Sequence, residues 1–202
     1  KSHLSWHDVP KNARYIVSFR APSDAFISVY RFFEGFMFEP GTIDLDTFFR
    51  WRNPPEKMGE RGYWHHLASW WEQRNNPDVL LLCYEDMLAD LPNTVRRVAA
   101  FMDIPLDGEL FACVERQASR KFMLEHKNQF DEAPFRRLTS QRTGITVDTN
   151  AYKVTAGARD DPKYQLAAVH KQKLDEIWQT QILNRFGLED YEDLRVAVRA
   201  MH

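Results

Sequence analysis

Two spacings of apolar residues take turns along this chain of 202 residues, one near two and one near 3.6. Tyr15-Ile16-Val17-Ser18-Phe19 is short, β-branched and aromatic, and predicts a strand. Pro22-Ser23-Asp24 then supplies helix-start chemistry, and Ala25, Phe26, Val29, Tyr30, Phe33 and Phe36 recur at helical spacing. Short helices are predicted from Asp44 to about Trp51, closed by Asn53-Pro54-Pro55, and from Gly62 to about Arg74, closed by Asn75-Asn76-Pro77. Val79 to Tyr84 is an unbroken apolar run between turn residues, the pattern of a parallel-sheet strand buried on both faces.

Helices dominate thereafter. Pro92 opens one, with Val95, Val98, Ala99 and Met102 as its buried stripe. Others are predicted from about Gly108 to Gln117 and from Ser119 to His126. Residues 127–162 are polar with little periodicity and predict a long loop. Lys163 to about Phe186 predicts a long helix stopped by Gly187, and Tyr191 to His202 a last amphipathic one. With no internal repeat or low-complexity tract, the pattern predicts a single α/β domain over 1–202.

Composition narrows the function classes. The 27 basic and 29 acidic residues give a net charge of −2, without the basic footprint of a nucleic-acid binder. No apolar stretch approaches the length of a membrane span. Cys83 and Cys113 form no CxxC pair, and Cys83 in VLLLCY packs as a small hydrophobe. So few cysteines favour a reducing, cytoplasmic compartment. Aromatic residues, at 13%, suffice to fill a core and line a pocket.

The chemistry starts at Arg20, at the carboxyl end of the first predicted strand, where open α/β sheets bind ligands. A guanidinium there serves in a surface ion pair or forks onto a phosphate. Ser28 and nearby helix amides can complete an anion site. His65 and His66 lack the HExxH spacing of a zinc site and read as a solvated pair on an amphipathic helix.

Taken together, these stretches resemble the PAPS-dependent sulfotransferases, where PAPS is 3′-phosphoadenosine 5′-phosphosulfate. YIVSFRAPSDAFISVYRFF is similar to the family's strand–RNPxDxxxSxYxFF, with Ala21 in place of the usual Asn. KSHLSW resembles KTHLP, VLLLCYEDM resembles the strand followed by YEDL, GYWHHLASWWEQR resembles the helix before that strand, and ASRKFMLEHKNQF resembles the S-F-x-x-M segment. The resemblance implies a P-loop-NTPase-like parallel sheet flanked by helices, PAPS as donor with PAP as product, and no metal. It puts His3 on the catalytic base, beside Lys1. Histidine titrates near operating pH and suits removal of an acceptor's proton. Arg20 and Ser28 fall on the ligands of the 3′-phosphate, and Tyr84 on a residue bordering the adenine. Ser119 and Met123 match the segment that wraps the adenine, where Arg120 replaces the usual Phe; an Arg plane can also stack on a base. Lys153 and Gly157 in YKVTAGARDD are the nearest counterpart of R-K-G-x-x-G, with Arg142-Thr143-Gly144 as a competing candidate.

Two family motifs have no counterpart. The PKSGTTW strand–loop–helix, whose loop cradles the phosphosulfate, is not found, nor is the K-x-x-x-T-V-x-x-x-E dimer motif. The chain starts at Lys1 rather than Met, and the expectation is the larger C-terminal part of a longer domain. The leading expectation is sulfuryl transfer to a hydroxyl on a small, partly apolar acceptor. The alternatives are a catalytically incomplete PAP-binding protein and a P-loop kinase-like phosphotransferase. Homo-oligomerisation stays open.

Overall fold

A computed structural model of the chain describes residues 4–34, 37–53, 62–130, 133–144, 154 and 162–201. After a 3-10 turn at Trp6–Asp8, strand β1 (Tyr15–Phe19) leads into helix α1 (Pro22–Phe33). Helices α2 (Leu45–Arg52) and α3 (Tyr63–Trp71) follow, then strand β2 (Val79–Cys83). Four helices come next: α4 (Tyr84–Ala89), α5 (Leu91–Phe101), α6 (Gly108–Ala118) and α7 (Arg120–Glu125). After α8 (Ala133–Thr143), α9 (Ala168–Trp178) runs through a π turn at Gln179–Leu183 into α10 (Asn184–Phe186). The last helix is α11 (Tyr191–Ala200).

The two strands pair in parallel, with Tyr15 opposite Val79 and Phe19 opposite Cys83. Helices α1 to α3 fill the crossover, as the parallel sheet predicted from the apolar runs requires. All five residues of β2 are buried, so both of its faces are covered. In β1, Val17 and Phe19 are buried while Ile16 and Ser18 are exposed, so one face carries no cover among the described residues.

The main core sets β1 and β2 against Leu67, Trp70 and Trp71 of α3, Leu174 and Ile177 of α9, Ile182 of the π turn, and Leu194 and Val198 of α11. A second cluster joins Tyr30, Phe38 and Phe48, with Phe26 and Phe33 packed against it. Caps fix several helix starts: Asp44, Asp90, Asp107 and Asp190 each accept a backbone N–H two or three residues into the helix they open.

Four expectations from the pattern need correction. The stretch 127–162 is not all loop, because α8 lies within it; APFRRLTSQRT has too few apolar residues to print a stripe. Tyr84 ends no strand but opens α4, a helix too short to show a period. Met102 is not buried, since α5 stops at Phe101. The long C-terminal helix begins at Ala168, not Lys163, because Lys163 and Tyr164 lie in a 3-10 turn and bond the Glu34 carboxylate.

Candidate active site

The register of the sheet builds the site. Phe19 pairs with Cys83, so the next residues, Arg20 and Tyr84, emerge side by side at the carboxyl ends of β1 and β2. The Arg20 guanidinium lies over the Tyr84 ring, 4.6 Å from its centroid. Its Nη2 stands 3.9 Å from the Asp24 carboxylate, too far for a strong bond. Its Nε is buried with no hydrogen-bond partner. A buried guanidinium N–H left over in this way is a donor ready for an anion. Ser28 is exposed one turn beyond Asp24, on the same strip of α1. The structure therefore brings Arg20, Tyr84 and the start of α1 together.

The backbone around Arg20 is held by residues that sequence reasoning passed over. The Tyr63 hydroxyl donates to the Arg20 carbonyl at 2.6 Å. The Ala21 N–H donates to Glu85 Oε1 at 3.1 Å, and the Tyr191 hydroxyl donates to Glu85 Oε2 at 2.7 Å. Beside Glu85, Asp86 takes both a 2.6 Å bond and a 3.5 Å bond from the Arg195 guanidinium of α11. Burial drives the Tyr63 and Tyr191 phenols far above their ordinary range, with the Glu85 charge adding to each, so both remain donors. The hydrogen bond to Asp86 pushes the Arg195 guanidinium higher still. The available signal was Glu85 itself, an acidic residue in the first turn after a fully buried strand.

The segment after His3 is also anchored. The Leu4 carbonyl lies 3.0 Å from both the Trp70 indole Nε1, which donates to it, and His66 Nδ1. The Trp6 N–H donates to Ser69 Oγ at 3.0 Å. His66 is thus not the solvated surface residue its helix pattern suggested: it is half-buried and holds the chain next to His3. His65 is half-buried too and lies 5.8 Å from the His7 ring.

The other predicted residues separate into two groups. Ser119 and Met123 mark the corner between α6 and α7. The Ser119 hydroxyl caps α7, accepting from the Phe122 N–H and donating to the Arg116 carbonyl. Arg120 is exposed at the first position of α7, and Arg142 is exposed in the last turn of α8. Lys1, His3, Lys153 and Gly157 lie outside the described residues. Among the described residues no group of three or more His, Cys, Asp or Glu side chains is placed to hold a metal ion, and no helix is long and apolar enough to cross a membrane.

Comparison with known proteins places the chain in a family and a fold. Amine sulfotransferase of Oryctolagus cuniculus is 24% identical over 206 residues, covering all of this chain and 66% of that protein. Among solved structures, mouse sulfotransferase SULT7A1 complexed with PAP superposes with a TM-score of 0.67 at 20% identity, over 98% of this chain and 68% of that one. Retinol dehydratase in complex with androsterone and inactive cofactor PAP superposes with a TM-score of 0.63 at 17% identity, over 89% and 51%. The chain spans about two thirds or less of the curated relatives it matches, down to 30% of the luciferin sulfotransferase of Photinus pyralis. The structural likenesses establish the α/β sulfotransferase fold. The sequence profile of the Sulfotransferase domain family matches residues 1–195, nearly the whole length, and the chain belongs to that family.

Proposed function

We propose that the protein to which this chain belongs transfers a sulfuryl group from PAPS to a hydroxyl of a small, partly apolar acceptor, within one cytoplasmic domain. The observation that carries this reading is the Arg20 guanidinium at the carboxyl ends of the strands, backed by Tyr84 and keeping a buried, unpartnered Nε. Two structural neighbours are described as PAP complexes, which supports the same donor class.

PAPS supplies the activated sulfuryl group. Arg20 and Ser28 hold the 3′-phosphate of the donor, one as a charged fork and the other as a hydroxyl donor. Tyr84 borders the adenine, with Ser119, Arg120 and Met123 contributing to its wall. Lys153 and Gly157 close the phosphate side. His3 takes the acceptor's proton as the acceptor oxygen bonds to sulfur and the bond from sulfur to the donor's phosphate oxygen breaks. Lys1 steadies the charge on the moving group. Most of the rate enhancement then comes from positioning and charge neutralisation. The half-exposed aromatics at the end of α1 and on α2, Phe33 and Trp51 among them, offer the apolar acceptor wall.

One experiment separates binding from chemistry. In the full-length enzyme, His3→Ala lowers sulfuryl turnover by about 100-fold or more while PAP affinity stays within twofold. Arg20→Ala lowers PAP affinity by at least tenfold. Near-normal turnover in His3→Ala overturns the base assignment, and unchanged PAP affinity in Arg20→Ala overturns the 3′-phosphate assignment. ATP binding more tightly than PAP turns the reading to a phosphotransferase.

A further inference from the structure

We propose that Glu85 is a positioning residue for the Arg20 guanidinium, and that through it helix α11 sets the geometry of the 3′-phosphate site. The inference rests on reading Arg20 as the ligand of that phosphate.

The Arg20–Ala21 peptide is gripped at both of its polar atoms. Its carbonyl accepts from the Tyr63 hydroxyl at 2.6 Å and its N–H donates to Glu85 Oε1 at 3.1 Å. In a trans peptide these groups point to opposite sides, so the two bonds together fix the rotation of the peptide plane. That rotation sets ψ of Arg20, and with it the direction in which the Arg20 side chain leaves the strand.

The residues at the corner add no side-chain cap of their own. Ala21 stands at the N-cap of α1 and makes no side-chain cap bond. Pro22 at the first helical position has no N–H to offer. A residue with a side-chain acceptor at position 21 would cap the helix by itself, and with alanine there the external carboxylate takes on more of the work.

Glu85 can do this because its second oxygen is also fixed. Oε2 accepts from the Tyr191 hydroxyl of α11 at 2.7 Å. Helix α11 is locked in turn by the Arg195–Asp86 pair at 2.6 Å and by the burial of Leu194 and Val198. Glu85 also follows Tyr84 directly. The Tyr84–Glu85 unit therefore holds Arg20 at both ends, with the ring beneath the guanidinium and the carboxylate on the backbone. Each Glu85 oxygen thus has its own donor, Ala21 N–H on one and the Tyr191 hydroxyl on the other.

Two ligands differing only in the 3′-phosphate provide the test: PAP and adenosine 5′-phosphate, titrated calorimetrically against the full-length protein. Glu85→Ala weakens PAP by about tenfold and leaves adenosine 5′-phosphate within twofold. Glu85→Gln restores PAP to within threefold, because its amide oxygen can accept from Ala21 while its NH₂ donates to the Tyr191 oxygen. In an Arg20→Ala background, Glu85→Ala costs less than a further twofold. Should Glu85→Ala fail to fold, Tyr191→Phe removes only that hydroxyl's bonds, to Glu85 and Cys83, and weakens PAP by about threefold with the same selectivity. Equal loss for both ligands, or a full tenfold loss persisting without Arg20, overturns the positioning role. Wild-type protein that binds the two ligands equally, or Arg20→Ala that leaves PAP binding intact, overturns the underlying assignment of Arg20 whatever Glu85 does.

Discussion

Cys83 is the last residue of β2, and burial pushes its thiol up to about 12, with the nearby Asp86 and Glu85 charges adding to the rise against the opposing Tyr191 hydrogen bond. At pH 8 very little of Cys83 is thiolate, the form that reacts. Cys113, half-buried on α6, has no such cover. Iodoacetamide at pH 8 therefore labels Cys113 in the native protein and reaches Cys83 only when urea unfolds it, as mass spectrometry of the peptides would show. Fast native labelling of Cys83 would mean that the Tyr191–Glu85 corner opens in solution. At this scale the sequence was informative where chemistry is written into a local motif. Arg20 and Tyr84 were both legible, and the strand register then explains their contact. Glu85, Tyr63 and Tyr191 were not, because their bonds span 64, 43 and 106 positions along the chain. Such bonds leave no periodic trace. His66 escaped for the same reason, its partner Leu4 lying 62 positions away.

Elements were legible in proportion to their contrast. Both strands and helices α2, α5, α6 and α11 fall within a few residues of their predicted bounds, because each is either an apolar run or an amphipathic stripe between turn residues. Helix α8 lacks the stripe and α4 lacks the length. The C-terminal helix shows how tertiary bonds move a boundary: the pattern predicts Lys163 and Tyr164 in the helix, but both lie in a 3-10 turn and bond Glu34 instead. Its far end obeys local chemistry. Gly187 adopts φ of 74°, and its N–H donates to the Leu183 carbonyl at 2.8 Å, closing the helix after the π turn. A methyl group at Gly187 would meet nothing within 4 Å, so substitution costs backbone strain alone. Gly187→Ala thus destabilises the protein by about 1 kcal/mol, seen as a lower urea midpoint with an unchanged m-value. A loss well beyond that would show that the turn into α11 is set by more than this residue's backbone.

At the scale of the molecule, the end of α1 is tied to the turn before α9, about 130 positions along the chain, by one buried carboxylate. Glu34 closes α1 with a side chain only 6% exposed. It accepts from Lys163 Nζ at 2.7 Å, from the Tyr164 hydroxyl at 2.8 Å and from the Gly41 N–H at 3.2 Å. The tie fixes the turn that feeds α9, and α9 in turn packs on α1 and the main core. Burial by itself would raise the Glu34 carboxyl, but the bonds from Lys163, Tyr164 and Gly41 outweigh it and hold the group below its ordinary value of 4.5. A carboxyl whose folded value is depressed stabilises the fold fully above the unfolded value and loses that contribution as pH falls through the folded one. In that window the unfolded state binds more protons, so stability climbs with pH. Glu34→Gln, which cannot titrate and offers Lys163 no charge, lowers stability by roughly 2 kcal/mol at pH 7. The gap between the two proteins narrows as the solution is acidified below about pH 4.5, since the wild type alone forfeits the bond. Urea titrations from pH 7 to pH 3 measure this directly: converging curves identify Glu34 as the acid-sensitive tie, and parallel curves would place the acid sensitivity of the fold elsewhere.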